Sequence, residues 1–257
     1  MINVAYSMNK KYEPYFSLSL HSLLRTNKER IHVYVYAERA ARIQKKLKHF
    51  AKLYPNLSYM VINLADDADD LINDWLKIFP INSRGFGHVS KECFVRLLLP
   101  DLLPEVDKII YLDCDTIIDC DLNEMIMLPG FDKSILASRG HLYSDEQARE
   151  LEQPWYAISG IMVMDLKKLR SLHSKEIIEK NAISAFSKIS IPSADETLLN
   201  VLFFNEIAEM PNTYNYCLDR QYGNRSVKTE DVKIWHICGQ DKSKMPYLFS
   251  KLRRTVD

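Results

Sequence analysis

With 257 residues, the chain can form one large α/β domain or two small ones, and 47% hydrophobic with 26% charged residues is ordinary globular composition. Its 34 basic residues balance its 34 acidic ones, which argues against a general nucleic-acid binder, a class marked by basic excess. No apolar run approaches the ~18 residues of a spanning helix, and Met1 leads straight into Ile2-Asn3-Val4-Ala5-Tyr6 instead of a signal peptide. Five cysteines (Cys93, Cys114, Cys120, Cys217, Cys238) form an odd set without a C-x-x-C pair. They argue against a structural zinc site or a disulfide framework, and for a reducing, cytoplasmic setting.

The first half alternates strand and helix. Ile2 to Ser7 predicts a strand. Phe16, Leu20, Leu23 and Leu24 recur at helical spacing over Tyr15 to Arg25. Ile31, Val33 and Val35 alternate with His32, Tyr34 and Tyr36 as in a strand. Ile43, Leu47, Phe50 and Tyr54 make a second helical stripe, and Leu57 to Leu64 a third strand. Such units imply a mainly parallel sheet with helices on its faces. The acidic cluster Asp66-Asp67-Ala68-Asp69-Asp70 precedes a helix pattern through Leu71, Ile72, Trp75 and Leu76, and reads as an N-terminal cap. Arg84-Gly85-Phe86-Gly87-His88 reads as a loop. Phe94, Leu97 and Leu98 mark a helix carrying Arg96 and ending near Pro100. Beyond Pro129, strands are predicted at Ile135 to Ser138, Gly160 to Leu166 and Val232 to His236. Helices are predicted at Ser174 to Lys188 and Ala194 to Phe204, with an irregular stretch from Met210 to Glu230.

The most informative stretch is Lys108-Ile109-Ile110-Tyr111-Leu112-Asp113-Cys114-Asp115, an apolar strand running into two carboxylates. Residues i and i+2 share a strand face, so Asp113 and Asp115 converge if the extended geometry persists through them; a turn at the strand end is the alternative. Converging carboxylates repel unless a cation or a proton holds them, and oxygen ligands of this kind suit Mn²⁺ or Mg²⁺. The chain has seven glycines and neither G-x-G-x-x-G nor G-x-x-x-x-G-K-[ST], so both common phosphate cradles are missing. A diphosphate would then be neutralised by a metal on the two aspartates. His236 is the best third ligand, and Lys242 on the following loop can meet a phosphate oxygen as a point charge.

Asp113-x-Asp115 after a strand, with His236-x-x-Gly239-x-x-Lys242 near the C-terminus, resembles the pattern of glycosyltransferase family 8. Three further stretches are similar to that family in the right order: Val4 to Tyr12 with Ser17 to Leu23, Ser159-Gly160 with the apolar run after it, and Asp195-Glu196-Thr197-Leu198-Leu199-Asn200. Arg96 stands where the family has an arginine on the helix before the metal strand. The resemblance implies a GT-A fold, an α/β architecture with a Rossmann-like, mainly parallel mixed sheet flanked by helices. One domain is expected over residues 1–257, with a nucleotide-sugar half through Asp121 and an acceptor half from residue 122. The implied activity is a metal-dependent retaining transfer of galactose or glucose from a UDP-sugar to a lipid-, polymer- or protein-linked saccharide. Asp113, Asp115 and His236 would hold Mn²⁺, with Mg²⁺ as the alternative. Ser7, Asn9 and Tyr12 would line the uridine pocket, with Tyr12 stacked on the uracil. Gly239 and Lys242 would contact the diphosphate, Arg96 and Asp195 would hold donor hydroxyls, and Cys114, Ser159 and Gly160 would line the same substrate site.

Four positions depart from the family pattern: Asn9 and Gly140 stand where an aspartate is usual, Ile158 replaces an asparagine, and Lys242-Ser243-Lys244 replaces Lys-Pro-Trp. The family often has Gln where this chain has Glu196. That carboxylate is expected on the acceptor-side face of the sugar, either as a nucleophile or as support for oxocarbenium-like charge. Two other readings compete. A haloacid-dehalogenase-type phosphatase also places D-x-D after a buried strand, and a UDP-sugar-binding protein with weak turnover would fit Ile158 and Gly140. Lys242, Lys244, Lys251, Arg253 and Arg254, interleaved with Tyr247, Leu248, Phe249 and Leu252, suggest peripheral contact with the inner face of an anionic membrane.

Overall fold

The structure, a computed structural model, describes residues 1–64, 73, 91–130, 132–141, 143–172, 194–218, 227–238 and 242–252. The Asp66–Asp70 cluster, most of the helix pattern after it, the Arg84–His88 loop, the Ser174–Lys188 helix, Gly239, Arg253 and Arg254 lie outside the described residues.

Strands β1 (Ile2–Met8), β2 (Ile31–Ala37) and β3 (Leu57–Asn63) alternate with helices α1 (Glu13–Thr26) and α2 (Ala40–Leu53). Pro14 sits in the first turn of α1, where its missing N–H leaves no helical bond unmade. A 3₁₀ turn (Lys91–Phe94) leads into α3 (Val95–Leu102), followed by β4 (Lys108–Leu112), β5 (Thr116–Ile118), α4 (Asn123–Ile126) and β6 (Ile135–Arg139). Then come α5 (Tyr143–Glu150), β7 (Ala157–Asp165), α6 (Leu166–Leu172), α7 (Ala194–Phe203), β8 (Ile207–Met210), β9 (Tyr216–Cys217), β10 (Ile234–His236) and α8 (Lys244–Leu252). Helix α3 ends near Pro100 as expected, with the proline inside its last turn. Every residue from Val95 to Pro100 is buried, and that packing offsets the helical bond the proline cannot make.

Seven strands form one sheet in the order β3-β2-β1-β4-β7-β6-β8. The β3-β2-β1-β4 pairs are parallel, β7 runs antiparallel to both β4 and β6, and β8 is parallel to β6. Alternation along β4 separates two cores. Ile109 and Tyr111 join one, with Leu97 and Leu98 of α3, Leu166 of α6 and Leu198 and Leu199 of α7. Ile110 and Leu112 join the other, with Phe16 and Leu20 of α1 and Ile43 and Leu47 of α2. Helices thus cover both faces, and β7 between them is buried along its whole length.

A second sheet, in the order β5-β10-β9, is much smaller. Buried polar groups of α1 receive its first strand: the Ser19 and Thr116 hydroxyls lie 2.9 Å apart, and the Ile118 N–H donates to Ser22 Oγ at 2.9 Å. Asn27, just past the end of α1, donates to Cys120 O at 3.1 Å and accepts the Leu122 N–H at 2.7 Å. The cysteine count argues against a disulfide framework and for a reducing setting, yet one disulfide is present. Cys217 and Cys238 are joined by a disulfide with Cα atoms 5.9 Å apart, while Cys93, Cys114 and Cys120 are free. The pairing of β9 with β10 brings the two together, which sequence spacing could not reveal. Helix α8 buries Met245 and packs Leu248 and Phe249 inward, leaving Lys244, Tyr247 and Lys251 exposed. Among the described residues, no helix is long and apolar enough to cross a membrane.

Candidate functional site

Asp113 follows directly on the C-terminal end of β4, in the middle of the large sheet, its N–H donating to Gly160 O on β7 at 2.8 Å. The chain then turns: Thr116 Oγ1 donates to the Asp113 carbonyl at 2.8 Å, and β5 begins at Thr116. The two carboxylates therefore converge through a turn, not through strand alternation. His236 ends β10 opposite Thr116, and the Ile237 N–H donates to Asp115 O at 2.9 Å. Its Nε2 lies 3.6 Å from Asp113 Oδ2 and 3.5 Å from Asp115 Oδ1. The ligand atoms of all three side chains lie within 4.8 Å of one another. A Cβ on Gly160 would fall 2.3 Å from His236 Cε1 and 2.9 Å from Asp113 Oδ2. Only glycine leaves the cluster its space.

Arg96, buried on α3, binds the neighbouring polar groups together. Its guanidinium meets Asp113 Oδ1 at 3.0 Å and Asp195 Oδ2 at 3.1 Å, donates to Ser159 Oγ at 2.9 Å, and lies 4.6 Å from the Tyr111 ring centroid. Ser159 Oγ donates in turn to Asp195 Oδ2 at 3.0 Å, and the Ser159 N–H donates to Glu196 Oε2 at 3.1 Å. The sequence expectation gave Arg96 and Asp195 to donor hydroxyls; here they pair with each other. Burial raises the Asp113 carboxyl above its ordinary value, with Arg96 opposing and the Asp115 charge adding to the rise. Burial acts upward on Asp115 too, but hydrogen bonds and charges from His236 and Lys242 outweigh it and hold that carboxyl down to about 2. Burial pushes Glu196 up to about 7, against the opposing hydrogen bond from Ser159 N–H.

Lys242 reaches the same cluster. Its ammonium pairs with Asp115 and donates to Ile237 O at 2.5 Å, and it lies 5.7 Å from the Tyr12 ring centroid. The Tyr12 hydroxyl is pushed up by burial and then by the Asp115 and Asp113 charges, which places this ring beside the carboxylates. Ser7 Oγ donates to Glu92 O at 2.7 Å, and Asn9 Oδ1 accepts the Lys11 N–H at 2.9 Å. Cys114 is buried, with its thiol turned to Ser7 O at 3.5 Å. Gly239 lies outside the described residues.

Two departures from the family pattern prove to be one feature. A Cβ on Gly140 would fall 2.3 Å from Ser144 Oγ and 3.3 Å from Ile158 Cγ1. Ser144 therefore occupies the space that an aspartate at position 140 would need. Sequence reading missed Asn215, whose Oδ1 lies 2.9 Å from His236 Nδ1. It sits in a stretch read only as irregular, and no motif marks it.

The sequence matches the family described as "Glycosyl transferase family 8" over residues 3–243. It is 25% identical over 210 residues to the glycosyltransferase GlyE of Streptococcus pneumoniae, covering 76% of this chain and 48% of that protein. It is 27% identical over 190 residues to glucoside xylosyltransferase 2 of Xenopus laevis, covering 62% and 45%. The chain thus spans about half the length of these relatives. Among solved structures, the galactosyltransferase LgtC in complex with donor and acceptor sugar analogs superposes with a TM-score of 0.73 at 18% identity, covering 99% of this chain and 96% of that one. The GlyE structure superposes with a TM-score of 0.64 at 18% identity, covering 98% and 59%. The fold is GT-A.

Proposed function

Because the chain belongs to glycosyl transferase family 8, we propose that it is a metal-dependent retaining glycosyltransferase. It moves galactose or glucose from a UDP-sugar to a saccharide acceptor in cell-surface glycan or glycoprotein assembly. One observation carries the reading: two carboxylates and an imidazole within 4.8 Å of one another, in a space that only a glycine at position 160 leaves open. This mixed oxygen and nitrogen donor set fits Mn²⁺, and Mg²⁺ less well. The chemistry such an ion supplies is neutralisation of the charge that builds on a leaving diphosphate.

The remaining roles belong to the chain. Residues 1–121 serve the donor, with Ser7, Asn9 and Tyr12 at the uridine and Tyr12 stacking on the base. Lys242 leaves its pairing with Asp115 to meet a phosphate oxygen. Arg96 fixes Asp113 and Asp195 in one ion-paired unit, so that Asp195 meets the sugar from a rigid position. Glu196, tied to the Ser159 backbone, supplies negative charge on the acceptor side while the acceptor attacks from the face the diphosphate leaves. Residues 122–257 hold the acceptor, and the exposed Lys244, Tyr247 and Lys251 of α8 face an anionic membrane surface.

The test is a screen of UDP-sugars for Mn²⁺-dependent hydrolysis, since donor choice needs no acceptor. Full activity of metal-free protein in EDTA would end the metal assignment. The contact of Gly140, Ser144 and Ile158 favours a second reading, a UDP-sugar-binding protein with weak turnover. Calorimetric UDP binding with neither transfer nor hydrolysis would favour it.

A further inference from the structure

The His236 ring has two nitrogens with different surroundings. Nε2 faces Asp113 and Asp115. Nδ1 lies 2.9 Å from Oδ1 of Asn215, which follows the 3₁₀ turn Asn212–Tyr214 and precedes β9. Asn215 is 2% exposed, and its amide nitrogen is buried with no hydrogen-bond partner among the described residues. An unpartnered buried amide works against folding, and an aliphatic residue of the same shape would avoid that cost. The side chain therefore has its use in the oxygen, which meets His236.

A carbonyl oxygen only accepts, so Nδ1 carries the hydrogen and donates it to Asn215. In the neutral ring this leaves the Nε2 lone pair directed at the two carboxylates. With the amide reversed, the NH₂ would face Nδ1, the ring hydrogen would move to Nε2, and an N–H would point where a ligand atom is needed. The backbone fixes Asn215 in place. Strand β9 pairs with β10 at His236 and Cys217, the Leu218 N–H donates to His236 O at 3.0 Å, and the Cys217–Cys238 disulfide fastens the two segments. Ahead of Asn215, the Lys233 N–H donates to Thr213 O at 2.8 Å.

We propose that Asn215 is a positioning residue that selects the His236 tautomer whose Nε2 can ligate a divalent cation. This rests on the metal reading of the site. One measurement needs no metal: in ¹⁵N-labelled protein, the His236 Nδ1–H should give a resonance protected from solvent exchange. Nδ1 keeps that hydrogen in both the neutral tautomer and the imidazolium, so the signal reports the Asn215 contact alone. Asn215→Ala should remove the protection. It should also weaken Mn²⁺ binding by about 10- to 100-fold, read by electron paramagnetic resonance titration without any donor. Asn215→Asp, which restores an acceptor oxygen, should recover both. Absence of the protected resonance in the wild type, or unchanged Mn²⁺ affinity in Asn215→Ala, overturns the proposal. If the alanine variant does not fold, Asn215→Leu removes the acceptor at nearly constant shape and is read in the same way. A wild-type protein that shows the resonance and binds no Mn²⁺ would defeat the metal reading, and the ligating role with it.

Discussion

The two sheets of this protein are built on different principles. The large one has central strands buried on both faces, held by apolar contact with α1, α2, α3, α6 and α7. The small one, β5-β10-β9, has strands of two or three residues and is secured by directed polar contacts: Ser19 and Ser22 on β5, Asn215 on β10, and a disulfide across β9 and β10. Apolar burial is non-directional and tolerant of small shifts, so it suits a platform. Hydrogen bonds fix orientation, so they suit the placing of ligand atoms. The large sheet provides stability and seats Asp113 beside Gly160, and the small sheet aims His236 at it.

That division makes its boldest claim at the ligands. Asp113→Ala or Asp115→Ala should lower sugar transfer on the order of 10³-fold or more, the equivalent of several kcal/mol of lost charge stabilisation. Steady-state transfer assays check this, and a variant retaining a tenth of wild-type turnover would break the assignment. The converse lies in the platform. Leu47→Ala, in a fully buried position on α2, should cost about 2–5 kcal/mol of stability in denaturant unfolding. Activity per folded molecule should stay at the wild-type level, and a parallel fall in Mn²⁺ affinity would blur the division between the sheets.

Glu196 sharpens the comparison from the rim of the large sheet. Glu196→Gln should cost about 10²-fold in turnover if the carboxylate lends electrostatic support, and on the order of 10³-fold or more if it attacks the sugar. Incubation with donor alone, followed by intact-mass analysis, should show a hexose adduct only in the second case. Wild-type turnover in the variant would make Glu196 scaffold. The same residue has a pH signature. Its folded carboxyl titrates at about 7, above the roughly 4.3 of an unfolded Glu. Between those values the unfolded chain releases the proton first, so stability falls as pH rises through the window. Glu196→Gln should remove that slope, a difference of up to about 4 kcal/mol by pH 8. Unfolding curves at pH 4 and pH 8 measure it.

The smallest effect concerns Lys242, whose ammonium occupies one oxygen of Asp115. Lys242→Ala should lower turnover about tenfold by removing a charge from the diphosphate, while Mn²⁺ affinity does not fall. A drop in Mn²⁺ affinity would show that Lys242 orients the aspartate and does not compete for it.

The strands β1 to β4 were legible because alternating Val, Ile and Tyr residues carry a strong period. Asp113 and Asp115 stood out because two carboxylates one residue apart leave a strongly apolar run, where they repel unless a cation or proton holds them. A turn at the strand end was open from the sequence, but its geometry was not legible, since it depends on Thr116 bonding back to Asp113 and on Gly160 across the sheet. Helix α5, polar and acidic through Ser144-Asp145-Glu146, has no apolar stripe to announce it. Strand β8, four residues long, is paired only on one side and offers no pattern of useful length. Asn215 and the cysteine pair were invisible for one reason. Their meaning lies in the pairing of β9 with β10, a contact between segments whose sequences give no sign of each other.

That pairing has a thermodynamic consequence. The Cys217–Cys238 bond lies two residues beyond Asn215 on one segment and two beyond His236 on the other. It removes from the unfolded chain the conformations in which these flanks drift apart. The cross-link therefore lowers the chain entropy lost when β9 and β10 come together, and with it the cost of assembling the segment that carries His236 and Asn215.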